Sequence, residues 1–144
     1  MKLSEHFSLQ EAIISQEATR RGIDNTPSAQ IVKNMVETAA GMEQVRDLLG
    51  APIHVNSWFR CLRLNRAIGS SDTSAHIQGY AVDFICPSFG TPKEICESIQ
   101  KSDIVFDQLI NEQNWCHISF APAKRRNVLT AEFYNGKARY RGGL

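Results

Sequence analysis

No stretch of this sequence reaches the run of about eighteen apolar residues that a membrane-spanning helix requires, so a helical span is excluded. The opening residues, Met1-Lys2-Leu3-Ser4-Glu5-His6-Phe7, also lack the basic start and apolar stretch of a secretory signal. The expected location on synthesis is therefore the cytoplasm, with any target outside the cell reached only after lysis or export. A strong charge of either sign is missing too: 16 Lys plus Arg against 15 Asp plus Glu leave a net +1. Long-range attraction to a polyanion is thus not a property of the whole molecule, and nucleic acid is not an expected partner. The cysteines Cys61, Cys86, Cys96 and Cys116 show no C-x-x-C spacing, and three of them lie within apolar or periodic stretches. They read as reduced, mostly buried, small hydrophobes. Repeats, low-complexity segments and Gly/Ser/Pro-rich linkers are absent as well, so residues 1–144 are taken as one domain.

What is present suits a globular core: hydrophobic residues make up 42% and charged residues 22% of 144, enough to fold without disulfide staples. Residues 1–50 read as helical. Ser8-Leu9-Gln10-Glu11 is a capping box that opens a short helix ending near Gly22. Thr26-Pro27 gives a second start, with Thr as N-cap and Pro at the first helical position. Beyond it Ile31, Met35, Ala39, Met42, Val45 and Leu49 fall on one helical stripe, closed by Gly50 and Pro52.

Residues 51–144 read as the sheet-containing part. Ile53 to Phe59 alternates like a strand that enters a short helix around Cys61 to Ile68, and Ala81 to Cys86 reads as a buried strand. Thr91-Pro92-Lys93-Glu94 is a second capping box. Val105 to Ile110 and Trp115 to Phe120 suit an antiparallel hairpin, and Asn135-Gly136 between Val128 to Tyr134 and Lys137 to Tyr140 is the strongest short hairpin signal. Helices first and strands later predict α+β, a small antiparallel sheet flanked by helices.

Two of the four histidines stand where chemistry would need them. His76 ends a polar loop, Asp83 lies on the strand that follows, and His117 lies within the apolar Trp115 to Phe120 segment. Imidazole and carboxylate on buried strands each need a partner or a cation. A shared metal would satisfy all three, and two imidazoles with one carboxylate leave the open position of a catalytic zinc site. Spacing alone also permits the plainer reading, His117 as a core histidine bonded to a carbonyl and Asp83 as a turn cap. Cys116, by strand alternation, points away from His117's face and is core rather than a fourth ligand. His54 reads as structural or exposed, and His6 carries no role.

The order of these residues resembles the zinc D-Ala-D-Ala carboxypeptidase and endolysin peptidase family, whose fold is shared with the hedgehog signalling domain. The family signature S-x-H-x-x-G-x-A-x-D followed by W-x-H stands here as Ser74, His76, Gly79, Ala81, Asp83, then Trp115 and His117. Upstream, Ser57, Arg60 and Asn65 match its S-x-x-R with an amide five residues on. The resemblance implies one Zn²⁺ held by His76, Asp83 and His117, and hydrolysis by metal-activated water of peptide bonds next to D-amino acids in bacterial peptidoglycan. It also implies that Arg60, Asn65 and Ser74 bind substrate and that Arg60 stabilises charge on the scissile carbonyl. Similar proteins with this N-terminal region look like monomeric phage or prophage products acting on stem peptides of the wall.

Such chemistry needs a carboxylate beside the water as general base and then acid. Family members carry it three residues before the second zinc His, where this chain has Asn114, and an amide cannot relay a proton. Glu112, five residues before His117, is the candidate instead. Asn114 equally favours a rival from another class, a zinc-containing binding or virion-structural module without turnover. The basic residues Lys124, Arg125, Arg126, Lys137, Arg139 and Arg141 suit either a solvated hairpin or contact with anionic wall polymer.

Overall fold

The computed structural model describes every residue from Met1 to Leu144. Its N-terminal part holds three helices, α1 (Leu9–Ile13), α2 (Gln16–Arg21) and α3 (Ala29–Leu49). The Ser8 capping box forms as expected: Ser8 Oγ accepts the Glu11 amide at 3.2 Å, and Glu11 Oε1 accepts the Ser8 amide at 2.8 Å. The single helix expected up to Gly22 is instead broken at Ile14, because Ser15 Oγ takes the Ala18 amide at 3.1 Å and starts a new helix. The second helix start also differs from expectation. Thr26 spends its hydroxyl on Asp24 Oδ1 at 2.6 Å, so Ser28 rather than Thr26 caps α3, which begins beyond Pro27.

The rest of the chain runs β1 (His54–Ser57), α4 (Leu62–Ala67), β2 (Ala81–Ile85), α5 (Pro92–Lys101), β3 (Gln108–Asn111), β4 (Cys116–Ser119), β5 (Asn127–Tyr134) and β6 (Lys137–Gly142). These strands build one six-stranded sheet in the order β1-β2-β4-β3-β5-β6. The architecture is α+β. Four of the five pairings are antiparallel, including the expected β3–β4 and β5–β6 hairpins. The fifth departs from a purely antiparallel sheet, since β5 joins the free edge of β3 in parallel. Its entry is pinned by Arg125, whose amide and guanidinium both donate to Asp107 just before β3. Asn135 and Gly136 both take positive φ, 51° and 76°, the left-handed pair that a tight hairpin with right-handed strand twist requires.

Side-chain alternation divides the sheet into two faces. Val82, Phe84, Leu109, Cys116 and Ile118 are fully buried on one face. That face lies against α5, which packs on β3, β4 and α3. Met35, Ala39, Met42 and Val45 of α3 and Ile95, Cys96 and Ile99 of α5 complete the same core. Each large aliphatic or aromatic side chain so buried contributes about 1.5–3 kcal/mol. The opposite face carries Ser57, Asp83, His117, Ile110 and Leu129 at matched registers of successive strands. No helix is long and apolar enough to cross a membrane.

Candidate active site

The loop between α4 and β2 is held in place by α3. Asn34 Nδ2 donates to the Gln78 carbonyl at 3.0 Å, while Thr38 Oγ1 and Trp58 Nε1 both donate to the Gly79 carbonyl at 2.9 Å. Asn34 and Thr38 lie beside the apolar stripe of α3, and Trp58 follows β1. Gly79 itself sits at φ +79°, and a Cβ there would come within 2.7 Å of Met35 Cγ, so both backbone and packing call for glycine. The loop thereby delivers His76 to the start of β2.

His76 is almost fully buried, and its Nδ1 lies 2.6 Å from the Trp58 carbonyl. A carbonyl only accepts, so Nδ1 carries the proton and Nε2 is left as a lone pair facing Asp83 Oδ2 at 3.2 Å. Asp83 and His117 stand opposite one another in the β2–β4 ladder, with His117 Nδ1 2.8 Å from Asp83 Oδ1. The two imidazole rings meet edge-on, centroids 5.3 Å apart. Burial pushes His76 below the ordinary imidazole range, with Asp83 opposing, which favours the neutral ring. Burial alone would raise Asp83, but the His117 imidazole at hydrogen-bond distance from Oδ1 opposes it, and the carboxyl is held well below its usual range.

One ligand atom from each of His76, Asp83 and His117 lies within 4.8 Å of the other two. A neutral imidazole, its second nitrogen tied to a carbonyl, and an ionised carboxylate are the protonation states and outer bonds that zinc sites use. The donor set therefore fits zinc, with His76 Nε2, Asp83 and His117 Nδ1 as the atoms that could hold it.

The three open onto a cleft of about 900 Å³. One side is polar, built from Arg60, Ser71, Thr73 and Ser74. Arg60 donates from Nε to Asn65 Oδ1 at 2.9 Å and from Nη1 to Ser57 Oγ at 3.2 Å. Burial lowers its pKa, against the pull of Asp83, but a guanidinium remains charged throughout the physiological range. Asn65 is fully buried behind Arg60, and its amide also donates to the Ser71 carbonyl at 2.7 Å. Its position is that of a brace for Arg60 rather than of a cleft wall. Ser74 lines the cleft and also accepts the His76 amide at 3.3 Å.

Glu112 extends the β3 alternation of Gln108 and Ile110 and lines the same cleft, 8% exposed. Burial raises its pKa, an effect opposed by His117 and reinforced by Asp83. Asn114 is exposed in the turn, so the two-residue difference places a carboxylate in the cleft and the amide outside it. Sequence reasoning missed the far side of the cleft, where Leu129, Phe133, Ala138 and Tyr140 of β5 and β6 stand and Tyr140 Oη donates to Glu112 Oε1 at 3.4 Å. The alternation of β5 was the available signal, but it names a face and not what the face meets.

The remaining candidates fall elsewhere. His54 is exposed on edge strand β1, and His6 pairs with Glu43 at 2.6 Å. All four cysteines are free; Cys116 turns into the core beside Cys96, as alternation predicts. Several basic side chains near the C-terminus are engaged locally: Arg125 with Asp107, Arg141 with Glu132, and Arg126 with the Ser102 and Ile104 carbonyls.

A family model described as Peptidase M15 matches residues 5–119, a span that takes in Arg60 and the whole His76–Asp83–His117 cluster. The chain belongs to the Peptidase M15 family. Membership supports a zinc-dependent metallopeptidase, in agreement with the donor set of this M15 chain. β5 and β6 lie beyond the matched stretch. No curated protein matches the chain.

Proposed function

We propose that this M15 chain hydrolyses peptide bonds next to D-amino acids in bacterial peptidoglycan, as a carboxypeptidase or endopeptidase of the endolysin type. The observation that carries the proposal is the placement of Glu112: a buried carboxylate on the face of the sheet that holds the metal-ligand cluster, in the same cleft. Zinc held by His76, Asp83 and His117 would supply Lewis acidity and a water acidified toward about 7. Glu112, its pKa raised by burial, takes the proton of the attacking water and returns it to the leaving amine nitrogen. Arg60 has two of its N–H groups braced by Asn65 and Ser57, which orients its remaining donors toward a substrate carboxylate or the developing oxyanion. Ser74 contributes by holding the His76 loop and by presenting a hydroxyl to the cleft.

A second reading is a zinc-containing binding or virion-structural module, which the amide at Asn114 favours. Zinc content measured beside product release from purified muropeptides, for the parent and Glu112→Gln, separates the two. One zinc per chain with hydrolysis abolished by the substitution supports the peptidase. One zinc with no product from either protein supports the module, and absence of zinc overturns the site.

A further inference from the structure

The C-terminal hairpin lies outside the matched family stretch, yet it forms one side of the cleft. On its cleft face Phe133 pairs with Ala138 and Ala131 pairs with Tyr140, so each aromatic ring stands opposite an alanine. Large beside small on both rungs leaves an apolar notch between the rings. Phe133 is 49% exposed and Tyr140 53% exposed, although both are large and face the site. The outer face differs in chemistry: Glu132 forms an ion pair with Arg141, and Arg139 lies over the Tyr134 ring, which is 51% exposed, so the aromatic there has a charged neighbour and no apolar notch.

Strand order gives the notch a direction. Arg60 follows β1 at one end of the sheet, Asp83 and His117 sit on adjacent β2 and β4, and the hairpin closes the other end. A substrate whose carboxylate end meets Arg60, and whose scissile bond lies at the cluster, therefore has its acyl side over the hairpin. Tyr140 also ties the notch to the chemistry, because its hydroxyl donates to Glu112 at 3.4 Å.

We propose that Phe133 and Tyr140 form a subsite for an aliphatic side chain of the substrate residue on the acyl side of the scissile bond. The proposal rests on the peptidase reading above. Each methylene seated there changes affinity by about fourfold. Phe133 acts by apolar contact alone, and Tyr140 combines that contact with positioning of Glu112.

The test uses the zinc-loaded protein and two peptides, acetyl-L-alanyl-D-alanyl-D-Ala and acetyl-L-alanyl-D-norleucyl-D-Ala, which differ by three methylenes in the residue on the acyl side of the scissile bond. The parent is expected to favour the norleucyl peptide by at least tenfold in kcat/KM, chiefly through KM. Phe133→Ala should reduce that ratio toward one, with the larger loss on the norleucyl peptide, and Phe133→Ser serves if the first variant does not fold. Tyr134→Ala, on the outer face, should keep the ratio. Calorimetric binding of both peptides to Glu112→Gln, with and without Phe133→Ala, reads the same preference without turnover. Equal use and equal binding of the two peptides by the parent, or a ratio insensitive to Phe133, overturns the subsite and leaves the peptidase standing. No hydrolysis of either peptide counts against the peptidase, and the calorimetric ratio then still decides the subsite.

Discussion

Asp83 and His117 face each other across two adjacent strands, with carboxylate Oδ1 and imidazole Nδ1 2.8 Å apart and both side chains 13% exposed. Asp83→Asn keeps the shape but removes the charge that a dication needs. Zinc affinity should fall by more than the roughly 10–100-fold that outer-shell partners are worth, read by competition with a chromogenic chelator. Retention of full affinity would show that Asp83 serves the fold and not the metal.

Zinc should also stabilise the fold. At a free concentration about 100 times its dissociation constant a ligand adds about 2.7 kcal/mol, on the order of 6–10 °C in Tm for a chain of this size. Treatment with a chelator should lower Tm by that amount, and added zinc should restore it. An unchanged Tm would mean that the cluster holds no metal in the folded protein.

Glu112 governs the pH dependence expected on the acid side. A base works ionised, and burial raises this carboxyl, so protonation removes activity as pH falls through a value above the ordinary Glu pKa of about 4.3. The pH profile of kcat/KM should show this limb, and Glu112→Gln should lower kcat by about 10²–10⁴ with zinc retained. A variant that keeps both rate and limb would assign the base elsewhere.

Arg60→Lys preserves charge and loses the planar fork braced by Asn65 and Ser57. KM for a peptide with a free C-terminal carboxylate should rise about tenfold or more. The same peptide amidated at its C-terminus should be affected less, and equal effects on both would move Arg60's role to the scissile carbonyl.

Gly79→Ala forces a left-handed backbone on a residue with a Cβ and drives that carbon toward Met35. Strain and overpacking together should cost about 2–4 kcal/mol in denaturant unfolding. Zinc affinity should fall with it, because the carbonyl of residue 79 anchors the His76 loop to Thr38 and Trp58. A neutral substitution would show that the loop relaxes without disturbing α3.

Local chemistry was written in the sequence by itself. The Ser8 and Thr91 capping boxes, the Asn135-Gly136 turn, and the alternation that sends His117 one way and Cys116 the other all depend on residues a few positions apart. Short-range sterics and hydrogen bonds determine such features before the chain has any partner. Where two local signals competed, as at Ser15 against one uninterrupted helix up to Gly22 and Ser28 against Thr26, the side chain with a free oxygen took the cap. Tertiary structure alone decided the parallel docking of β5 on β3, the burial of Asn65 behind Arg60, the meeting of Asp83 with His117 across β2 and β4, and the wall of Phe133 and Tyr140. Periodicity states which face a side chain occupies, whereas the neighbour it meets is set by burial among segments far apart in the chain.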